Sequence, residues 1–123
     1  MLKNLVLLTA VLYTALITIM NFISLDSVPQ FGWGFEDKIY HVGAYAVFSF
    51  LWALWRCLRL KKNNLKILTL CCVGYGIVLE LVQHAVNPNR TFDPLDLLSN
   101  CTGVIIGIIF VWYYFTRIVN LKQ

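Results

Sequence analysis

Three residues of this chain have reactive side chains in surroundings that do not suit them. His41, Glu80 and Asp96 each lie in or beside an apolar run. An imidazole and carboxylates brought together could act as general base and acid, or could hold the polar hydrogens of a ligand. His41 belongs to a set. Asp37, His41 and Tyr45 are spaced i, i+4, i+8, which puts them on one helical face. Glu80, Gln83 and His84 follow at i, i+3, i+4 and share another face. Asp93 and Asp96 open a third run, and Asn100, Gly103 and Gly107 continue a stripe from Asp96.

Helix termini account for part of this pattern. Asp37 stands at the start of a helix, where a carboxylate caps free N–H groups and meets the positive end of the dipole. The run Asp93-Pro94-Leu95-Asp96 is a helix start, with Asp as N-cap, Pro at the first helical position and an acid in the first turn. Glu80 has no such explanation. It lies near the C-terminus of its helix, where the dipole disfavours an anion. An ionisable side chain at that depth faces the bundle interior or a wet cavity and finds a partner. Arg90, Lys38 and His41 are its candidates. Gly103 and Gly107, four apart, form a small-residue face that lets another helix approach closely.

The elements that carry these residues follow from the apolar runs. At 123 residues the chain is expected to be a single domain, 1–123. Only 13% of its residues are charged, against about 25% in soluble domains. That is too few to clothe a core of this size in water. Crossing a bilayer takes about 20 apolar residues. Runs at about 5–23, 39–55, 67–83 and 95–116 meet or approach that length. The first is long for a signal-peptide core, and no A-x-A site precedes Asp26, so it is expected to be retained. Tryptophans and tyrosines near the run ends suit interfacial anchoring.

Charge then orients the spans. Lys3, the Arg56–Lys66 connection and the C-terminal tail hold eight basic residues and no acid, whereas all six acids lie in or beside the other two connections, with only Lys38 and Arg90 as bases there. Positive residues mark the cytoplasmic side. The expected fold is therefore all-α, an integral membrane four-helix bundle with the N-terminus and C-terminus cytoplasmic. The basic connection sets topology and meets anionic lipid. Cys57, Cys71, Cys72 and Cys101 show no disulfide or metal-ligand spacing and are expected to be small apolar fillers. No cofactor and no metal are expected in the main reading, and no nucleic-acid partner.

His41, Glu80 and Asp96 would each lie within about two turns of the outer surface, by helical rise. Their coincidence on three helices predicts a shallow polar pocket opening outward, with Asn100 beneath and Arg90 above.

The ordered set Asp37-Lys38-x-x-His41 with Tyr45, then Glu80-x-x-Gln83, Arg90, Asp93-x-x-Asp96, Asn100, Gly103 and Gly107 resembles the VanZ-like family of small bacterial membrane proteins. The similarity runs from about Asp37 to the C-terminus, with the first helix matching as a generic apolar span. Phe92-Asp93-Pro94 departs from the family pattern, in which a small residue often precedes the acid. The resemblance implies a multi-pass protein of the bacterial cytoplasmic (inner) membrane, linked to the cell envelope and to glycopeptide antibiotic resistance.

Three functions compete at this stage. In the first, the chain is a non-enzymatic or accessory envelope protein whose pocket binds an anionic or glycosylated lipid headgroup, or a partner protein. Arg90 and Lys38 would contact phosphate. Asp37, Glu80 and Asp96 would orient those cations and accept sugar hydrogens. Membrane lipids, a lipid-linked envelope precursor and a second copy of the chain are the partners considered. In the second, the chain is a membrane-embedded hydrolase or transferase acting through His41 and Glu80 on a lipid-linked substrate, with Asp37 and Asp96 able to hold a divalent metal. No nucleophile motif accompanies them. The third, transport, would need acids through the inner half of the bilayer, which are missing from the sequence.

Overall fold

The structure is a computed structural model that describes residues 1–23, 35–62, 64–88 and 91–120. It is all-helical among these residues. The helices are α1 (Leu2–Phe22), α2 (Glu36–Leu60), α3 (Lys66–Val86) and α4 (Pro94–Tyr113), and α4 continues as a π turn over Tyr114–Ile118. Helices α1, α3 and α4 with its π turn are long and apolar enough to cross a membrane. Helix α2 is longer than α1 or α3, at 25 residues, but less apolar. His41, Ser49 and its tyrosines and tryptophans dilute its run.

Packing explains that composition. α2 contacts each of the other three helices, and its most extensive contact is with α4. A helix with neighbours on several sides needs less lipid-compatible surface. Its buried side chains include Tyr45, Phe48, Ser49, Ala53 and Cys57. The outer faces of the bundle are apolar instead: Leu5, Leu8 and Leu12 on α1, Leu70 on α3, and Ile109 and Phe110 on α4 are all exposed. That is the pattern for a surface in contact with lipid.

The helix ends follow the chemistry of the sequence, with one extension. The apolar run predicts α2 from residue 39 to 55. The helix takes in the charged residues Glu36–Lys38 before it and Arg56–Leu60 after it. Acids in the first turn and Arg59 in the last suit the helix dipole. Lys61 closes α2 in the left-handed region at φ 52° and returns its N–H to Cys57 O at 2.9 Å.

Gly103 and Gly107 set the close approach of α4 to α2. A Cβ on Gly103 would run into the Val42 carbonyl oxygen, and one on Gly107 into Ser49 Oγ and the Ala46 carbonyl oxygen. Backbone atoms cannot step aside as a side chain can. Ser49 is fully buried at this seam and hydrogen-bonds Val104 O at 3.1 Å. Gly107→Ala is expected to cost about 1–3 kcal/mol, the usual penalty of overpacking. Gly43, with open space around it, gives the control. Thermal unfolding in detergent should show Gly107→Ala melting well below wild type and Gly43→Ala near it.

The cysteines divide. Cys57 and Cys72 are buried fillers as expected, whereas Cys71 is exposed on the outer surface of α3 and Cys101 is half-buried. Adjacent residues on a helix point about 100° apart, so Cys71 and Cys72 cannot both face the core.

Candidate functional site

At one end of the bundle α2 and α4 begin while α1 and α3 end. This brings the N-terminal turns of two helices beside the C-terminal turns of the others, and the polar residues of the sequence meet there.

Lys38 holds the rim together. Its ammonium donates to Asp93 Oδ2 at 2.6 Å and to Asp96 Oδ1, and lies 3.6 Å from Asp37 Oδ2. It thereby ties α2 to α4. Asp93 performs two tasks. Its Oδ1 accepts the Leu95 N–H at 2.9 Å, which caps α4, and its Oδ2 accepts from Lys38. Lys38 first, and the Leu95 N–H second, hold the Asp93 carboxyl below the ordinary carboxylate value.

Asp37 departs from the expected capping role. The N-cap of α2 is Phe35, with no side-chain cap hydrogen bond. The Asp37 carboxylate, half-exposed, instead lies beside Lys38 and 3.7 Å from His41 Nε2. The nearby cation and imidazole compete with the backbone for it.

His41 lies at the centre. Its Nδ1 is 2.8 Å from Asn100 Oδ1, and Asn100 Nδ2 donates to Glu80 Oε1 at 3.3 Å. Glu80 Oε1 is also 3.8 Å from His41 Nδ1. On the other side of the ring, Nε2 faces Asp37 Oδ1 at 3.7 Å and Asp96 Oδ2 at 4.0 Å. Glu80, Gln83, Asp96 and Asn100 are buried. Of the three partners expected for Glu80, His41 is adjacent, while Lys38 is engaged by the aspartates. Arg90 lies outside the described residues.

Gln83 reaches away from this network. Its Nε2 donates to the Asn21 carbonyl at 2.6 Å and so ties α3 to the last turn of α1. Tyr45 is buried one turn below His41, and its hydroxyl has no hydrogen-bond partner among the described residues. His84 shares a helical face with Glu80 in sequence but is exposed, and its ring meets Phe92 edge-on at 6.4 Å.

A cavity of ≈ 730 Å³ adjoins the cluster. Its walls come mainly from α1 and α2, with Leu16, Met20, Ile39 and Val47 among the apolar ones. Asp37, His41, Tyr45, Asn21 and Gln83 supply its polar side. The cavity is thus an apolar groove that meets the ionisable cluster.

A sequence model of the family described as VanZ/LLP1 matches residues 4–117. The chain belongs to the VanZ/LLP1 family. The match includes α1, which the resemblance treats only as a generic span. No match was found among curated proteins or solved structures. With its membrane-length helices, the chain is a VanZ-like membrane protein.

In this VanZ/LLP1 chain, α1 carries polar groups that the apolar pattern conceals. Thr14, Thr18 and Asn21 recur at i, i+4, i+7. Thr14 Oγ1 accepts from Trp52 Nε1 at 3.0 Å and Thr18 meets the Tyr75 hydroxyl, whereas the Asn21 side chain turns back to Ile17 O and its main-chain carbonyl takes Gln83. Tyr13 donates to Ala44 O at 3.0 Å and lines the cavity. The helical spacing of small polar residues is the signal by which this face could have been found.

Proposed function

We propose that this protein is a non-enzymatic or accessory multi-pass protein of the bacterial cytoplasmic membrane that binds the head of a glycosylated membrane lipid. The observation that carries this reading is the junction of an apolar groove with a polar cluster. The acyl or prenyl chain would lie against α1 and α2, and the head would reach Asp37, His41 and Gln83.

Charge favours a sugar over a bare phosphate. Asp37, Asp93 and Asp96 surround the one ammonium of Lys38, and Glu80 adds a fourth carboxylate on the other side of His41. Carboxylates accept hydrogens from hydroxyl and amine groups and repel anions. The basic Arg56–Lys66 connection supports cytoplasmic termini, which places the cluster at the outer face. An envelope lipid of this class would connect the protein to glycopeptide resistance, the association for which the family is named.

Native mass spectrometry of the full chain tests this reading. The chain would be released from nanodiscs holding equal amounts of glucosyl-diacylglycerol and phosphatidylglycerol with the same acyl chains. We expect the glycolipid to be retained about tenfold over its share, the equivalent of ~1.4 kcal/mol. Equal retention of the two lipids would refute the proposal.

One feature favours the enzymatic alternative. His41 is held by Asn100 on one ring nitrogen and presents the other to Asp37 and Asp96, the arrangement of an oriented base. Turnover of polyprenyl phosphates by the purified chain, with Mg²⁺ or without, would establish that reading, and its absence in both conditions would remove it.

A further inference from the structure

We infer that Asp37, His41 and Asp96 form a binding site for one divalent metal ion. The inference shares Asp37 and His41 with the lipid proposal, and its test uses the metal alone, without lipid. It starts from the proton on His41. Asn100 presents its carbonyl oxygen to Nδ1, and its amide nitrogen is committed to Glu80. Nδ1 must therefore carry the proton and donate to Asn100. In the neutral ring, the lone pair then lies on Nε2.

That lone pair faces two carboxylate oxygens, Asp37 Oδ1 at 3.7 Å and Asp96 Oδ2 at 4.0 Å. These distances are too long for hydrogen bonds. They suit three donors around a common cation, since an ion about 2.0–2.2 Å from each atom holds its ligands up to roughly 4 Å apart. One donor from each of the three residues lies within 4.8 Å of the others. Asp37 is half-exposed and can swing inward to close the remaining gap.

The surroundings have the form of a metal site's outer shell. A ligating histidine donates its other N–H to an oxygen that fixes the ring, and here Asn100, itself held by Glu80, supplies that oxygen. Lys38 holds the opposite oxygens of Asp37 and Asp96, leaving Oδ1 and Oδ2 turned toward His41. Lys38 balances Asp93, which leaves the charges of the two ligands Asp37 and Asp96 for a divalent ion to neutralise.

The cavity that Asp37 and His41 line also holds an unsatisfied polar group. The Tyr45 hydroxyl is 1% exposed, has no hydrogen-bond partner among the described residues, and belongs to the same cavity as Asp37 and His41. Three protein ligands leave coordination positions open, as in metal sites that take a further oxygen ligand. The mixed imidazole and carboxylate set suits Mn²⁺ or Zn²⁺.

Mn²⁺ is the probe. The full chain in detergent, stripped with EDTA and dialysed, would be titrated with Mn²⁺, and free ion would be read from its room-temperature EPR signal. We expect one Mn²⁺ per chain, displaced by Zn²⁺, with pulsed EPR showing the ¹⁴N coupling of a bound imidazole. Asp96→Asn should weaken binding by tenfold or more. Asp93→Asn, which removes the same charge but no ligand and keeps the cap, should stay within about threefold of wild type. No saturable binding to the wild-type chain, or binding without ¹⁴N coupling, would overturn the inference. So would equal losses in Asp93→Asn and Asp96→Asn, which would show diffuse attraction. The ¹⁴N readout needs no variant, so misfolding of a mutant cannot obscure it.

Discussion

Lys38→Met is expected to destabilise the bundle by about 2–3 kcal/mol, between the small value of an exposed pair and the larger one of a fully buried pair. The Lys38 side chain keeps a fifth of its exposure, and that of Asp96 only 6%. Without the cation, the carboxylates of Asp37, Asp93 and Asp96 would converge with no positive charge among them. The apolar replacement preserves the stem that packs at the rim, so lost packing contributes little. Thermal unfolding in detergent containing EDTA gives the measurement free of any metal contribution. Adding Asp96→Asn to Lys38→Met should recover part of the loss, because one of the unpaired charges disappears. A single variant that melts with wild type would show that Lys38 is only a surface charge.

The second large effect is expected at Asn100. This residue is 1% exposed and joins α2 to α3 through α4 by accepting from His41 and donating to Glu80. Asn100→Ala removes one hydrogen bond from partly buried His41 and one from buried Glu80, each loss costing about 1–3 kcal/mol, so a loss of roughly 2–4 kcal/mol is expected. Asn100→Asp separates bonding from volume. It keeps the shape and the acceptor for His41, but replaces the donor to Glu80 with a second carboxylate. If Asn100 acts through its hydrogen bonds, Asn100→Asp should melt at or below Asn100→Ala. If the residue only fills space, Asn100→Asp should melt near wild type, and the network would lose its assigned role.

These expectations rest on residues that differ in how plainly the sequence shows them. Glu80 is legible because no helix-end rule explains a carboxylate at the C-terminal part of an apolar run. Gly103 and Gly107 are legible because four-residue spacing of small residues has few other uses in a membrane helix. Asn21 and Tyr13 are not, since one polar atom on a mostly apolar helix carries no periodic signal by itself. The stripe Thr14, Thr18 and Asn21 is visible only when hydroxyls are counted as polar, and back-bonding to the preceding turn makes threonine unremarkable in a helix.

The amino-acid order alone sets the number of helices and where their apolar parts lie, because a bilayer sets the length of a spanning helix. It also determined which ionisable groups lie at one end, since their positions along each helix follow from a rise of 1.5 Å per residue. Tertiary structure decided the pairing. Whether Lys38 served Glu80 or the aspartates depended on which helix packed beside α2, and the glycine seam brought α4 there. That choice left Glu80 to Asn100 and His41, and turned Nε2 toward two carboxylates. Spacing within one helix places side chains on a face, but only the crossing of helices determines what that face meets.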